Sequence, residues 1–485
     1  MEFCGGGAGT FRLTWAQEDF WRKVIRRYGD ESRYFNIAMV VDLAGGAVPD
    51  RAVSDQAAVI AALRQLVARN QVLRTHFLEG PDGPRQRIEG SGTFVVRIRR
   101  STPEACRPDA DALAAELAAA AFDHGAEWGI RLGLVCAGRS PVHLVFAISH
   151  LLADGSGVRA LVEDFFDLMR VQATGGCLTD RWQPADQAVR EQSGGSGRRN
   201  QAAIRYWRRQ LERIPPSMFA FPAKPPEQPR FHSMCFESRA LAVAAARLAS
   251  RCQVSVPSVV LAGAALGLCA VTGQLTCVLM PVCGNRHDSG LRGMVGLTAQ
   301  HGLLVIDLAG ISTVAEAVRA AHRAATAAYF YGYCDPVAVQ DLIDEVETAR
   351  GVRFDLCLLY NDLTAFLDEP ADTGPAGQAL ELPEADARGL LAESTLILDS
   401  DVWQGQIPTM YLATEQHQDF CRLRLVADSA CLPARTTQAL LRGIERTLLD
   451  AAYREVHLPR NLHLPRGTSA RRRSLIQPSL DPGQI

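Results

Sequence analysis

The sequence predicts an α/β protein built from two halves of similar size, and three observations lead to this prediction. The chain has 485 residues, 47% of them apolar, which is enough to bury large cores. At about 150 residues per domain, this length suggests two or three units. Apolar strand patterns alternate with helical patterns along the chain. The alternation restarts after residues 193–197, whose sequence SGGSG is typical of a flexible linker.

The first half is predicted to begin with a helix over residues 14–24, with Thr14 as its N-cap because a threonine side chain can accept a hydrogen bond from the first turn. Apolar runs and alternations predict strands over residues 35–43, 94–98, 130–136 and 142–149. Helical spacing of apolar residues predicts helices over residues 50–69, 108–122 and 157–170.

The second half is predicted to start with a helix over residues 201–214, which Pro215 and Pro216 end. Further helices are predicted over residues 256–271, 313–329 and 433–453, and strands over residues 234–241, 276–282, 303–308, 354–360 and 422–426. We therefore expect an N-terminal lobe over residues 1–192, a linker over 193–200, a C-terminal lobe over 201–460 and a disordered tail over 461–485.

Composition argues against several classes of function. The 51 basic and 53 acidic residues give a net charge of −2, so we expect neither nucleic acid nor a membrane surface as a partner. No apolar stretch reaches the about 18–20 residues of a membrane span. The 13 cysteines are scattered and form no C-x-x-C pair, which predicts no metal site and reduced thiols in a cytoplasmic protein. No phosphate-binding glycine motif supports a nucleotide-driven reaction.

One segment combines residue types that suit acid–base chemistry. The predicted strand over residues 142–149 is followed by His150, then Asp154 and Gly155, and then a predicted helix. A histidine, with an unperturbed pKa of about 6.5, can accept a proton near neutral pH. The N–H groups at the helix start can face a developing negative charge. The alternative is that His150 is a hydrogen-bonded core histidine, and this short pattern alone does not decide between the two.

Further motifs appear in order along the chain and resemble those of the condensation domains of nonribosomal peptide synthesis, within the chloramphenicol-acetyltransferase-like superfamily. The family motif H-H-x-x-x-D-G corresponds to the segment that begins at Ser149 and ends at Gly155, with Ser149 in place of the first histidine. The other matching segments are LTWAQEDFW at 13–21, RNQVLRTHF at 69–77, YWRRQL at 206–211, MPVCGNR at 280–286, MVGL at 294–297 and DPV at 335–337.

The resemblance implies two chloramphenicol-acetyltransferase-like lobes in a V shape with a tunnel at their interface. It implies an acyltransferase that joins an acyl or aminoacyl thioester, carried on the phosphopantetheine arm of a carrier protein, to an amine or hydroxyl. The acceptor would be a small molecule or carrier-bound, the product an amide or ester of antibiotic or other specialised metabolism. No tightly bound cofactor is expected. Because no adenylation or carrier domain fits within 485 residues, we expect a free-standing protein that meets its carrier protein in trans.

The resemblance also assigns roles to residues of the site. His150 would accept or steer the proton of the attacking acceptor, and backbone N–H groups near Gly155 would stabilise the oxyanion. Asp154 would form a structural ion pair with an arginine of the second half, for which Arg286 is our candidate. Four further residues are expected to bind substrate: Ser149, Ser156, Gln300 and His301. An ordinary loop histidine is the alternative for His301.

Two alternatives to this function remain open. Ser149 in place of the first motif histidine, together with the weak match around Asp335, favours a non-catalytic condensation-like module that docks carrier proteins or recruits a partner enzyme. The second alternative is an O- or N-acyltransferase that uses coenzyme A. The D-F-G-W-G motif of relatives that use coenzyme A is not evident in this chain, so a carrier-protein thioester is the favoured donor.

Overall fold

The chain folds into two compact units, each of which contains helices and strands. The computed structural model describes residues 1–43, 55–220, 225–364, 380–399, 402–405 and 408–458. The first unit consists of Met1–Ala202, Gly284–Gln300 and Tyr333–Gln340. The second consists of Ala203–Cys283, His301–Gly332 and Asp341–Ile485. The mixed α/β class that the sequence predicts is therefore present in both units.

The first unit is built on a four-stranded sheet. Its strands follow one another in the order Asn36–Asp42, Ser140–Ser149, Ile130–Ala137 and Val96–Ser101. The first three are antiparallel neighbours and the last pair is parallel. A three-stranded sheet contains Gly9–Arg12, Arg85–Ile88 and Thr75–Leu78, and Glu2–Cys4 pairs with Ser91–Thr93. The principal helices of this unit are Trp15–Phe20, Gln56–Arg69, Cys106–Ala118, Gly155–Thr174 and Pro184–Glu191.

Both faces of this sheet are buried, which explains the unbroken apolar run before His150. On the strand Ser140–Ser149, Leu144, Phe146 and Ile148 pack into the core that holds the helices Gln56–Arg69 and Gly155–Thr174. The alternate residues of the strand, Val145 and Ala147, pack against the helix Cys106–Ala118. Successive side chains of a strand point to opposite faces, so a strand covered on both sides needs apolar residues throughout.

The second unit is built on a larger sheet. Its strands follow one another in the order Thr276–Cys283, Leu358–Asp362, Met410–Gln416, Cys421–Asp428, Phe231–Ser238 and Thr395–Asp399, and Leu304–Asp307 pairs with Thr276–Cys283. The principal helices are Arg239–Cys252, Val256–Thr272, Val314–Phe330 and Ala434–Tyr453. Val256–Thr272 is the buried helix that the sequence predicts: twelve of its residues, from Ser258 to Cys269, are buried.

The predicted linker over residues 193–200 is largely helical. A helix, Gly194–Leu211, runs through most of it. The hydroxyls of Ser193 and Ser196 donate to the carbonyl oxygen of Arg190, at 2.6 and 2.9 Å, and so tie the start of this helix to the end of the preceding one. Later in the helix Tyr206 and Trp207 are buried. Tertiary packing of the helix therefore overrides the weak helix propensity of its glycine-rich start.

The predicted lobe boundaries also differ from the two units. The first unit extends to Ala202, and it includes Gly284–Gln300 and Tyr333–Gln340 from the predicted C-terminal lobe. Sequence position alone misassigns these segments because their contacts are with residues far away along the chain. Three elements contain a position where the chain passes from one unit to the other: Gly194–Leu211, Gln300–His301 and Pro336–Arg350. The predicted tail over residues 461–485 lies outside the described residues.

No single helix among the described residues combines the length and the hydropathy of a membrane span. Arg239–Cys252 and Val256–Thr272 satisfy the length and hydropathy of a span only when they are taken together, across a bend of 107°.

Candidate functional site

His150 lies in a tight turn at the end of a central strand of the first unit. The strand ends at Ser149, whose N–H donates to the carbonyl of Gly129 at 2.8 Å. The N–H of Leu152 then donates back to the carbonyl of Ser149 at 2.9 Å and closes the turn. Leu151, Leu152 and Ala153 are fully buried. The backbone on either side of His150 is therefore held by hydrogen bonds and packing, while its imidazole is only half-buried.

The ring of His150 is stacked on Phe20. The two ring centroids are 5.1 Å apart and the planes differ by 21°. Phe20 is the last residue of the helix Trp15–Phe20, which begins at the predicted N-cap, Thr14. The Thr14 hydroxyl accepts from the Gln17 N–H at 3.2 Å, and the Gln17 side chain accepts from the Thr14 N–H at 3.0 Å. Stacking covers a face of the imidazole, whereas its two nitrogens lie on the ring's edge, in the plane of the ring.

The carboxylate of Asp154 is the most heavily bonded group next to His150. Its Oδ1 accepts from the N–H of Gly157 at 2.8 Å and from Nη2 of Arg286 at 2.9 Å. Its Oδ2 accepts from the N–H and the hydroxyl of Thr298, at 2.9 and 3.0 Å, and from the N–H of Ala299 at 3.0 Å. Asp154 is also the N-cap of the helix Gly155–Thr174. The ion pair that the sequence predicts between Asp154 and Arg286 is present.

These contacts keep Asp154 ionised. Burial would by itself raise the pKa of Asp154, but the charge of Arg286 and the N–H groups of Thr298 and Gly157 outweigh it. A positive charge on His150 acts in the same direction, and the pKa of Asp154 lies below its usual value. A buried carboxylate is tolerated where opposite charge and hydrogen bonds replace its lost hydration.

Arg286 ties a second segment of the chain to this carboxylate. Its Nη1 donates to the carbonyls of Leu291 and Met294, at 2.6 and 2.8 Å, and its Nη2 donates to the carbonyl of Gly296 at 2.8 Å. The carbonyl oxygen of Gly296 lies 2.3 Å from where a Cβ on Gly157 would stand. The helix start therefore needs glycine at position 157, because any side chain there would displace this segment.

The hydroxyl of Ser149 is paired with a histidine that the sequence analysis did not identify. Nε2 of His124 lies 2.7 Å from the Ser149 oxygen, and the N–H of Leu151 donates to the same oxygen at 3.3 Å. Burial lowers the pKa of His124 to about 4. Ser149 is only 3% exposed. This placement differs from the predicted substrate contact, because the hydroxyl is already engaged inside the protein.

Gln300 is likewise occupied by internal contacts. Its side-chain nitrogen donates to the carbonyl of Cys334 at 2.8 Å, and its oxygen accepts from the N–H of Cys334 at 3.3 Å. The side chain is buried. Gln300 thus joins the segment Tyr333–Gln340 to Gly284–Gln300.

The remaining predicted residues differ in their accessibility. Gly155 is exposed and Ser156 is partly exposed, both in the first turn of the helix that Asp154 caps. His301 belongs to the second unit and is partly buried. The structure thus brings Ser149, His150, Asp154, Gly155, Ser156 and Arg286 together in the first unit.

A second buried polar cluster of the first unit was also missed by the sequence analysis. Oε2 of Glu191 accepts from the N–H of Trp15 at 2.7 Å, and its Oε1 accepts from Gln187 at 3.0 Å and from the hydroxyl of Tyr333. Burial raises the pKa of Glu191 to about 7, against the effect of these hydrogen bonds. No sequence motif marks this cluster, because its members come from three separate segments.

Metal chemistry has no candidate site in the part of the chain that the structure describes, since no three His, Cys, Asp or Glu side chains are arranged there to hold an ion.

Comparison with known proteins identifies relatives over most of the chain. The family model of the condensation domain matches residues 8–368. A probable non-canonical nonribosomal peptide synthetase, CymA, of Salinispora arenicola is 26% identical over 336 residues, which is 65% of this chain and 4% of that protein. A plipastatin synthase of Bacillus subtilis is 24% identical over 344 residues, which is 69% of this chain and 9% of that protein. The chain thus spans a small part of the length of these curated relatives.

Among solved structures, a similar fold occurs in the condensation domain that mediates chain release from the enacyloxin polyketide synthase. Its TM-score is 0.67 at 19% identity, and the match covers 92% of this chain and 85% of that one. At this level of identity the likeness concerns the fold.

Proposed function

The chain belongs to the condensation-domain family, and we propose that it is an acyltransferase of condensation type in which His150 handles the proton of the attacking acceptor. The donor is an acyl or aminoacyl thioester on the phosphopantetheine arm of a carrier protein. The acceptor is the amine or hydroxyl of a small molecule or of a second carrier-bound group. Its nitrogen or oxygen bonds to the thioester carbon, the C–S bond breaks, and the proton of the acceptor passes to the leaving thiolate.

One observation supports the assignment of His150 above the others. The half-buried imidazole stands in a turn that is held on one side by the five hydrogen bonds to Asp154 and is stacked on Phe20. A proton-transfer group is effective only when it is held in position relative to the reacting atoms, and a rigid supporting shell provides this. An isolated core histidine has no need of such support.

The helix start after Asp154 provides a second part of the proposed mechanism. The N–H groups of Gly155 and Ser156 belong to the first turn of the helix Gly155–Thr174, where backbone donors have no partner within the helix. We assign oxyanion stabilisation to this turn, and contact with the substrate to Ser156. Asp154 and Arg286 act as the structural ion pair of the site, and His301 remains a predicted substrate contact.

Condensation domains act on substrates bound to carrier proteins, and this supports a carrier-protein thioester as the donor. The curated relatives are described as a nonribosomal peptide synthetase and a plipastatin synthase. We place the reaction in cytoplasmic specialised metabolism, with antibiotic biosynthesis as the proposed setting and the carrier protein supplied in trans.

The test uses an acyl donor in two forms, loaded on a carrier protein and as the coenzyme A thioester, with amine and alcohol acceptors, and detects the product by mass spectrometry. We expect product from the carrier-bound donor and a loss of about 100-fold or more in kcat for His150→Ala, in line with the contribution of general acid–base catalysis. The matched control is His457→Ala, an exposed histidine of the second unit.

Each alternative has its own outcome in this assay. Product from coenzyme A alone would replace the carrier-protein donor with the coenzyme A-dependent function. Equal turnover by wild type and His150→Ala would remove the proton-transfer role. Carrier-protein binding without product from any donor would favour the docking module.

A further inference from the structure

His124 is fixed in the first unit independently of the site. Along the chain it stands after the helix Cys106–Ala118 and before the strand Ile130–Ala137. Its carbonyl accepts from the N–H of Phe77 at 2.8 Å. The rings of Trp21, Phe77 and Phe122 stand around its imidazole, with centroids 6.1, 6.1 and 6.2 Å away. Aromatic packing and a backbone bond therefore hold the ring of His124 in place.

The Ser149 hydroxyl connects this fixed ring to the turn. A hydroxyl can donate one hydrogen bond and accept others. Its oxygen accepts from the N–H of Leu151 at 3.3 Å, and it lies 2.7 Å from Nε2 of His124, so the hydroxyl can donate to the His124 ring. Ser149 directly precedes His150 and Leu151 directly follows it. The two hydrogen bonds therefore hold the residues directly before and directly after His150.

The protonation state of His124 suits this role. Burial lowers the pKa of His124 to about 4; nearby Glu127 and Asp123 raise it, and Arg131 lowers it. At neutral pH the ring is therefore uncharged and its Nε2 can accept from Ser149. A neutral His124 ring also adds no positive charge beside Ser149, the residue that precedes His150.

We propose that His124 is a positioning residue that fixes the turn carrying His150 through the hydroxyl of Ser149. The proposal rests on the proposed function of His150. In this proposal His124 supports the reaction without contacting substrate. Ser149, which replaces the first motif histidine, transmits this support to the turn through its hydroxyl. The pair matters because the Ser149 hydroxyl, which contacts both His124 and the N–H of Leu151, joins the turn to a ring that is fixed elsewhere in the unit.

The first experiment follows the ring of His150 by its imidazole Cε1–H resonance in ¹H–¹³C spectra, identified by its absence in His150→Ala. Ser149→Ala and His124→Phe should each broaden or shift this resonance and change its titration with pH. Phenylalanine keeps the aromatic packing of position 124 and removes the hydrogen bond. The matched control is His143→Phe, which changes a buried histidine on the strand Ser140–Ser149, about 20 Å from Ser149 at about 3.4 Å per residue.

The second experiment measures kcat and KM of the same variants with the carrier-bound donor. Each single variant should lower kcat about tenfold with little change in KM. The double variant Ser149→Ala/His124→Phe should be no worse than Ser149→Ala, because Ser149→Ala already removes the hydrogen bond that His124→Phe removes. The reciprocal variant Ser149→His/His124→Ser keeps a serine–histidine pair across the two segments, and we expect it to recover part of the lost kcat.

The outcomes separate this inference from the proposed function. If His150→Ala retains full turnover, the proposed function fails. If His150→Ala is inactive while folded Ser149→Ala and His124→Phe keep both the wild-type kcat and the His150 resonance, the positioning role fails and the function stands. Should His124→Phe not fold, Ser149→Ala and the reciprocal variant decide the question by the same two measurements.

Discussion

The turn that carries His150 is held by different chemistry at its two ends. Before His150, the Ser149 hydroxyl is paired with the His124 ring, whose pKa of about 4 leaves it uncharged at neutral pH. After it, the Asp154 carboxylate is paired with the Arg286 guanidinium and several N–H groups. We call the Ser149–His124 pair the neutral anchor and the Asp154–Arg286 pair the ionic anchor. The neutral anchor joins two neighbouring parts of one core, and the ionic anchor binds the distant segment Gly284–Gln300.

This difference explains how much each anchor contributes to stability. A neutral hydrogen bond contributes about 0.5–1.5 kcal/mol, and removal of one partner leaves one uncharged polar group without it at a cost of about 1–3 kcal/mol. A buried ion pair is different, because removal of one partner leaves the other as an unpaired charge at a cost of about 3–5 kcal/mol. We therefore expect the ionic anchor to govern folding of the first unit and the neutral anchor to govern the position of His150.

The largest expected effect comes from breaking the ionic anchor. Asp154→Ala should lower the free energy of unfolding by about 3–5 kcal/mol, because Arg286, whose side chain is only 10% exposed, loses its counter-ion. Denaturant titration measures this loss. The control is Asp111→Ala on the helix Cys106–Ala118, where the partner Arg107 is 66% exposed and the loss should stay within about 1 kcal/mol. Equal losses in the two variants would contradict the assigned role of Asp154.

The next effect tests the close approach that the ionic anchor requires. Gly157→Ala should lower the free energy of unfolding by about 1–3 kcal/mol, because the new Cβ would meet the carbonyl of Gly296 at 2.3 Å. Helix propensity alone predicts the opposite sign. Gly197→Ala, a helical glycine with no atom within 4 Å of a Cβ, should stabilise the protein by up to about 1 kcal/mol. A stabilised Gly157→Ala protein would show that the segment moves away freely.

The third effect concerns pH and the neutral anchor. Because the pKa of His124 is lowered to about 4 from 6.5, the folded state binds fewer protons than the unfolded state between these values. The stabilising contribution of neutral His124 is complete above pH 6.5 and is lost as pH falls towards 4. In this window the free energy of unfolding of wild type should fall more steeply than that of His124→Phe, by up to about 1.4 kcal/mol per pH unit.

The pH measurement must be made as a difference between the two proteins. Glu191, with its pKa raised to about 7, binds an extra proton in the folded state between pH 4.5 and 7 and so stabilises the folded state as pH falls. Both proteins share this opposing effect, so it cancels in the comparison. The pKa of Asp154 is lowered, so its stabilising contribution is lost only below pH 3.8. Parallel curves for wild type and His124→Phe would show that His124 titrates alike in the folded and unfolded states.

Much of the architecture follows from local patterns. The strand before His150 shows an apolar run because both of its faces are buried, and Thr14 marks the start of the first helix because its hydroxyl accepts from Gln17. The motif resemblance led to Asp154 and Arg286, which are 132 positions apart. No local pattern leads to His124, since its partner Ser149 lies in another segment and a lone histidine in a loop has no periodicity to reveal it.

The sequence by itself determined the α/β class, most of the helices and strands, and the segment in which His150 stands, because these depend on side-chain periodicity, capping residues and a short motif. Only the tertiary structure decided that the helix predicted from residue 201 begins at Gly194, that Gly284–Gln300 joins the first unit, and that Ser149 and Gln300 form hydrogen bonds inside the protein. These features depend on packing, hydrogen bonds and ion pairs between distant segments, and the spacing of neighbouring residues does not reveal such contacts.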